Sequence, residues 1–73
     1  MKWNHRIVLF TDPDGDSRFA IQEVYYGRDG RPVGNCEPFV ASESIGGLEE
    51  TIKRFQEALN QPVLISENIG GAK

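Results

Sequence analysis

The chain holds one cysteine, one histidine, one methionine and one tryptophan in 73 residues. A single Cys36 closes no internal disulfide and leaves no second thiol for a zinc site. Small secreted domains normally carry several bridges, so the scarcity points to a reducing cytoplasm. The apolar run Ile7 to Phe10 is only four residues, too short for a signal-peptide core or a membrane span. Basic residues are also few: eight Lys and Arg against eleven Asp and Glu, for a net charge of −3. That argues against a broad nucleic-acid-binding face, which draws its affinity from phosphate neutralisation. No glycine-rich phosphate motif or cofactor motif is present, and no cofactor is expected. The length allows one domain, and a domain this small rarely holds a deep catalytic cleft.

What is there alternates. Trp3 to Phe10 reads as a strand, with Trp3, His5, Ile7 and Leu9 on one face and Asn4, Arg6, Val8 and Phe10 on the other. Asp12-Pro13-Asp14-Gly15-Asp16 is turn chemistry. Arg18 to Tyr26 reads as a second strand with neither face cleanly apolar, which suggests a partly covered face or a bulge. Gly27-Arg28-Asp29-Gly30-Arg31 contains Asp-Gly, the strongest short-range hairpin signal. A third strand spans 32–37, and its opening Pro32 favours an edge.

The connection from Pro38 ends in Gly46-Gly47, read here as loop. The spacing then predicts a helix over 48–60. Leu48, Ile52, Phe55 and Leu59 form one apolar stripe, widened by Thr51 and Ala58. Glu49–Lys53 and Glu50–Arg54 have the spacing of helical ion pairs, and Glu49 and Glu50 suit a first turn. Asn60 suits a left-handed end, and Pro62 forbids continuation. Val63 to Ile65 predicts a short fourth strand. The fold class is therefore α+β: an antiparallel three-stranded meander, one amphipathic helix on one face, and a fourth strand, in the order β-β-β-α-β. Strand order 3-2-1-4, with strand 4 parallel to strand 1, is expected; a crossover to strand 3 is the alternative. Residues 1–65 form one small domain, and 66–73 a flexible tail.

"WNHRIV", "EVYY", "RPVG" and "LEETIKRFQEALNQPVL" together resemble a group of short, uncharacterised bacterial proteins reading W-N-x-R-I-V, E-V-Y-Y, G-x-P-x-G-W and a Ser-capped L-E-E-L helix. The likeness runs over residues 3 to 65 and implies a fold, not an activity. Gly47 stands where that group places its capping serine, and Asn35-Cys36 where an aromatic is common. A looser likeness of architecture is to the HicB-like antitoxin domain. It implies an inhibitor of a small toxin ribonuclease.

Candidate chemistry is sparse. Asp12, Asp14 and Asp16, with Glu23, copy the acidic spacing of a calcium loop. Yet Ser17 occupies the position where that loop needs glycine, and Pro13 sits inside it, so a solvated turn is expected. His5 has no second ligand and is expected on a sheet surface, with Cys36 a small half-buried thiol. A Cys36–His5 nucleophile and base pair has no sequence feature to assemble it. Tyr25 and Tyr26 point to opposite faces. Trp3, His5, Arg18, one of Tyr25 and Tyr26, Arg28 and Arg31 are candidates for a protein-binding sheet face, since aromatics and arginines are enriched at interfaces. A non-catalytic interaction module, binding a protein partner or a second copy, is the expectation. An antitoxin-type inhibitor and a small-ligand or metal binder are the alternatives.

Overall fold

A computed structural model describes residues 2–70. Two long strands, β1 (Lys2–Thr11) and β2 (Ser17–Tyr26), pair antiparallel from Lys2↔Tyr26 to Thr11↔Ser17. The turn between them closes through Gly15 N–H to Asp12 O at 2.9 Å and places Gly15 at φ 94°. That backbone region suits glycine and explains the Asp-Gly pair. β3 (Pro32–Cys36) pairs with β2 through a second turn with Gly30 at φ 82°. The register slips at Tyr25/Tyr26, where Tyr25 faces Gly34 and Tyr26 faces Pro32. One extra residue, Val33, thus bulges the edge strand beside its proline.

The helix α1 (Ile45–Ala58) begins three residues before the expected start. Ser44 is its cap: the Ser44 hydroxyl accepts from Gly47 N–H at 3.0 Å. Gly46 and Gly47 are therefore helical rather than loop, and Glu49 and Glu50 lie beyond the first turn. A Cβ on Gly47 would overlap the Ser42 hydroxyl, so the glycine makes room for the serine-rich approach to the cap. The end also differs. No described non-glycine residue has positive φ, Asn60 included. The last turn tightens instead through Leu59, Asn60 and Gln61 N–H bonds to carbonyls three residues back. The ion pair seen is Lys53–Glu50, at 4.0 Å, in place of the two expected i,i+4 pairs. It is exposed and contributes little.

β4 (Leu64–Ile65) lies parallel to β1, with Val8↔Leu64 and Leu9↔Ile65, and the sheet order is β3-β2-β1-β4. The expected α+β architecture and strand order are both present. The helix packs on β1, on the side carrying Trp3, His5, Ile7 and Leu9, because Phe55 meets His5 edge to face at 4.9 Å.

The opposite side is also covered, which the sequence reading did not foresee. Ser66–Asn68 forms a 3-10 turn, α2, packed on β1. Gly70 N–H then donates to Pro32 O at 3.1 Å, on the far edge strand. Residues 66 to 70 therefore cross the sheet from β4 to β3. Val8 and Val24, both on the side away from the helix, are fully buried. Ile69, on the crossing segment, is half-buried. A tail beginning at 66 is thus replaced by a strap as far as Gly70; residues 71–73 lie outside the described residues.

The strap generates a test. Ile69→Ala should lower unfolding stability by about 1–2 kcal/mol, through the lost burial of its half-buried side chain. Urea denaturation measures it, and an unchanged midpoint would return residues 66–70 to a passive tail.

Candidate interaction site

The sheet alternation and register sort the sequence candidates onto two faces and two ends. Trp3 and His5 lie on the helix side. His5 is buried rather than at a sheet surface, held between Trp3 at 5.4 Å and Phe55. Arg18 lies at the opposite end of β2, its guanidinium 4.6 Å from the centre of the Phe10 ring, and is remote from Trp3. Arg31 pairs with Asp29 at 3.6 Å in the exposed turn. A single open face carrying all of these residues does not exist.

What does come together at one corner is Lys2, Tyr26 and Arg28, with Trp3 on the other face of the same strand end. The start of β1 and the end of β2 are neighbours by register, Lys2↔Tyr26 and Trp3↔Tyr25. The Gly27–Gly30 turn closes the space beyond them. The result is a hollow of about 800 Å³ lined by Lys2, Trp3, Asn4, Tyr26, Arg28 and the turn glycines. Lys2, Asn4 and Tyr26 share the sheet face away from the helix, Trp3 borders the hollow from the helix side, and no carboxylate is among the lining residues. Trp3 is 47% exposed. A second hollow, of about 370 Å³, opens between Trp3, His5 and the helix residues Arg54 and Glu57. Trp3 and Asn4 wall both.

The floor of the larger hollow is tied down. Tyr26 O–H donates to Asn4 Oδ1 at 2.7 Å and accepts from Arg6 at 3.0 Å. Arg6 also donates to Pro62 O at 2.6 Å, just past the helix. This relay links β2, β1 and the helix exit, so Tyr26 presents its ring in one orientation. Lys2, Asn4 and Arg6 were not candidates in the sequence; their polar alternation in "KWNHR" was the available signal.

A second constellation lies across the helix side. His5, Glu23 and Cys36 stand in one row, since His5 pairs with Glu23 and Glu23 with Cys36. Tyr25 O–H donates to Glu23 Oε1 at 2.7 Å and lies 3.5 Å from Cys36 Sγ. Phe39 N–H donates to the other Glu23 oxygen at 3.4 Å. These bonds hold the Glu23 carboxyl below its ordinary pKa, the Tyr25 hydroxyl first among them. The contacts with Cys36 and then Glu23 push the Tyr25 phenol up. Burial lowers the His5 pKa; Glu23 opposes this and Arg54 adds to it. His5 Nδ1 is buried without a partner.

The row is not a nucleophile site of the usual kind. Cys36 is exposed, not half-buried. Reactive thiolates sit in electropositive surroundings, whereas a carboxylate and a phenol surround this sulfur, and Glu23 stands between it and His5.

The calcium-loop spacing does not become a metal site either. Asp14 Oδ1 accepts from Asp16 N–H at 3.1 Å, an internal turn bond. Glu23 is engaged six residue rows down the hairpin, roughly 20 Å away at strand spacing. Among the described residues no group of three or more His, Cys, Asp or Glu is placed to hold a metal ion. Nor is any described helix long and apolar enough to cross a membrane.

The class defined by these features is a small α+β chain with one helix, a strapped sheet and a ring-and-cation hollow at one end. No family model, curated protein or solved structure matches it.

The buried imidazole gives the fold a pH dependence. The unfolded chain takes up the His5 proton near the ordinary value of 6.5, and the folded protein only at lower pH. Stability is therefore complete above pH 6.5 and falls as pH drops from there towards the lowered folded value. Glu23 adds a separate loss at lower pH, as pH falls below 4.5 through its own lowered value. Thermal melts from pH 8 to 4 should show the first loss in the wild type and not in His5→Phe. Identical profiles would remove His5 as the cause.

Proposed function

We propose that this chain is a non-catalytic interaction module that docks a short acidic segment of a protein partner in the hollow at Lys2, Tyr26 and Arg28, bordered by Trp3. The observation that carries this reading is the hollow lined by Lys2, Tyr26 and Arg28 with no carboxylate among its lining residues, and with the half-exposed Trp3 at its border. The Tyr26 phenol, fixed by Asn4 and Arg6, supplies apolar contact with little rotamer entropy to lose, and the cations steer an acidic chain to it. The hollow is of ligand-pocket size, which accepts a few side chains rather than a folded surface.

The net charge of −3 disfavours nucleic acid as the occupant, because the long-range field repels a polyanion while the local cations serve only a short one. A reducing cytoplasm suits a single exposed thiol. The antitoxin-type alternative rests on strand and helix order alone, a weak warrant for function, and the hollow adds nothing to it.

Trp3 is the sole tryptophan and reports its own site. Titration with a glutamate-rich peptide carrying one leucine should shift its emission. The shift should weaken with added salt and vanish in Arg28→Glu. A basic peptide of the same length should leave the emission unchanged. An indifferent Trp3, or a response only to single-stranded oligonucleotide, would sink the proposal.

A further inference from the structure

The helix buries its small side and exposes its large one. Its only fully buried residue is Ala58, at 1% exposure, with Thr51 half-buried about two turns before it. Ile45, Ile52 and Leu59 are 76%, 48% and 70% exposed. The expected stripe of Leu48, Ile52, Phe55 and Leu59 is thus split. Leu48 and Phe55 are half-buried at the sheet, while Ile52 and Leu59 turn outward with Ile45. Thr51 and Ala58 let the backbone approach β1 closely, and that approach rotates the larger residues into solvent.

Ile45, Ile52 and Leu59 recur every seven residues, with Leu48 and Phe55 between them. That is the spacing of a helix seam, with three apolar positions facing away from this chain. The pattern is also symmetric about Ile52. Two copies running antiparallel across a two-fold axis at Ile52 would set Ile45 of one copy against Leu59 of the other, twice. The same alignment brings Glu49 of each copy beside Lys53 of the other, within one turn, so the charges flanking the seam are complementary to themselves. Val63 and Ile65, on the segment leaving the helix, are also exposed. These five residues leave on the order of 500 Å² of apolar surface per copy, so a pair would cover about 1,000 Å², the lower end for a specific interface. A two-fold contact of one patch with itself closes at two copies and does not grow into a fibre.

We infer that the exposed flank of α1 is a self-association surface, on which a second copy of this chain packs its own helix antiparallel about Ile52. The hollow at Trp3 is built from other elements, so each site can fail without the other.

Sedimentation equilibrium over a concentration series tests it. The mass should rise from 8.2 kDa towards twice that value as the concentration passes from micromolar to millimolar. Ile52→Lys places two ammonium groups at the axis and should raise the dissociation constant by about 30-fold or more. Its circular dichroism should stay wild-type, because residue 52 is half-exposed. Leu59→Glu, at a more exposed position, should act in the same direction. Glu49→Lys should weaken the pair, and adding Lys53→Glu should restore it, which parallel helices would not require. A mass fixed at 8.2 kDa up to millimolar protein would overturn the inference, as would a dimer indifferent to both Ile52→Lys and Leu59→Glu. Failure of the double charge exchange to restore the pair would overturn the antiparallel geometry.

Discussion

Val8 marks the constraint on which the remaining structure depends. Its strand is paired on both edges, with β2 on one side and β4 on the other. The helix packs on that strand through Phe55 and His5, and the 3-10 turn packs on it as well. A chain this short cannot build a thick core, since little of its surface can be buried at all. It concentrates burial on one strand instead. Val8 and Val24 are shut from water while large residues such as Phe19 and Phe39 stay exposed. Every element outside the meander is then placed by its access to β1.

That economy forces polar groups inward. His5 and Gln22 are buried in strands too few to exclude them. Gln22 is satisfied, accepting from Asn35 at 3.0 Å and donating to Ile21 O at 3.3 Å. His5 is not, since its Nδ1 has no partner, and an unpaired buried nitrogen costs on the order of 1–3 kcal/mol. The ring packing against Phe55 and Trp3 offsets part of that cost. The acid sensitivity of the fold and the positioning of Trp3 thus share one cause, because His5 is both the buried base and the side wall of the indole.

The same thinness shapes the two surfaces that matter. At one end of the sheet the paired start of β1 and end of β2 leave an uncovered corner, where Lys2 and Arg28 meet at a fixed tyrosine and Trp3 borders the space. On the helix, close approach through Ala58 and Thr51 turns Ile45, Ile52 and Leu59 away from the sheet. An acidic chain therefore carries a local cationic corner, and an amphipathic helix carries an apolar flank it does not use internally.

Strand alternation, the two Asp-Gly turns, the proline at the edge strand and the existence of the helix were legible in the residues, because each is decided within a few positions by pleat, φ preference or periodicity. The opposed faces of Tyr25 and Tyr26 were legible for the same reason. Helix ends were not: Ser44 and Gly47 compete for one role, and only the Ser42 hydroxyl packed against Gly47 shows why the serine takes it. His5 reads as a surface residue until Phe55 closes on it from fifty positions away. Trp3, Tyr26 and Arg28 read as members of a broad face until the register sets Tyr26 beside Lys2, leaves Trp3 on the other face and sends Arg18 to the other end. The strap had no periodic signal, since its place depends on one hydrogen bond to Pro32 across the sheet. Local order follows from short-range sterics that neighbouring residues carry with them. Which side chains meet, which are buried and which remain for others to bind follows from contacts between distant segments, and those exist only once the chain has closed.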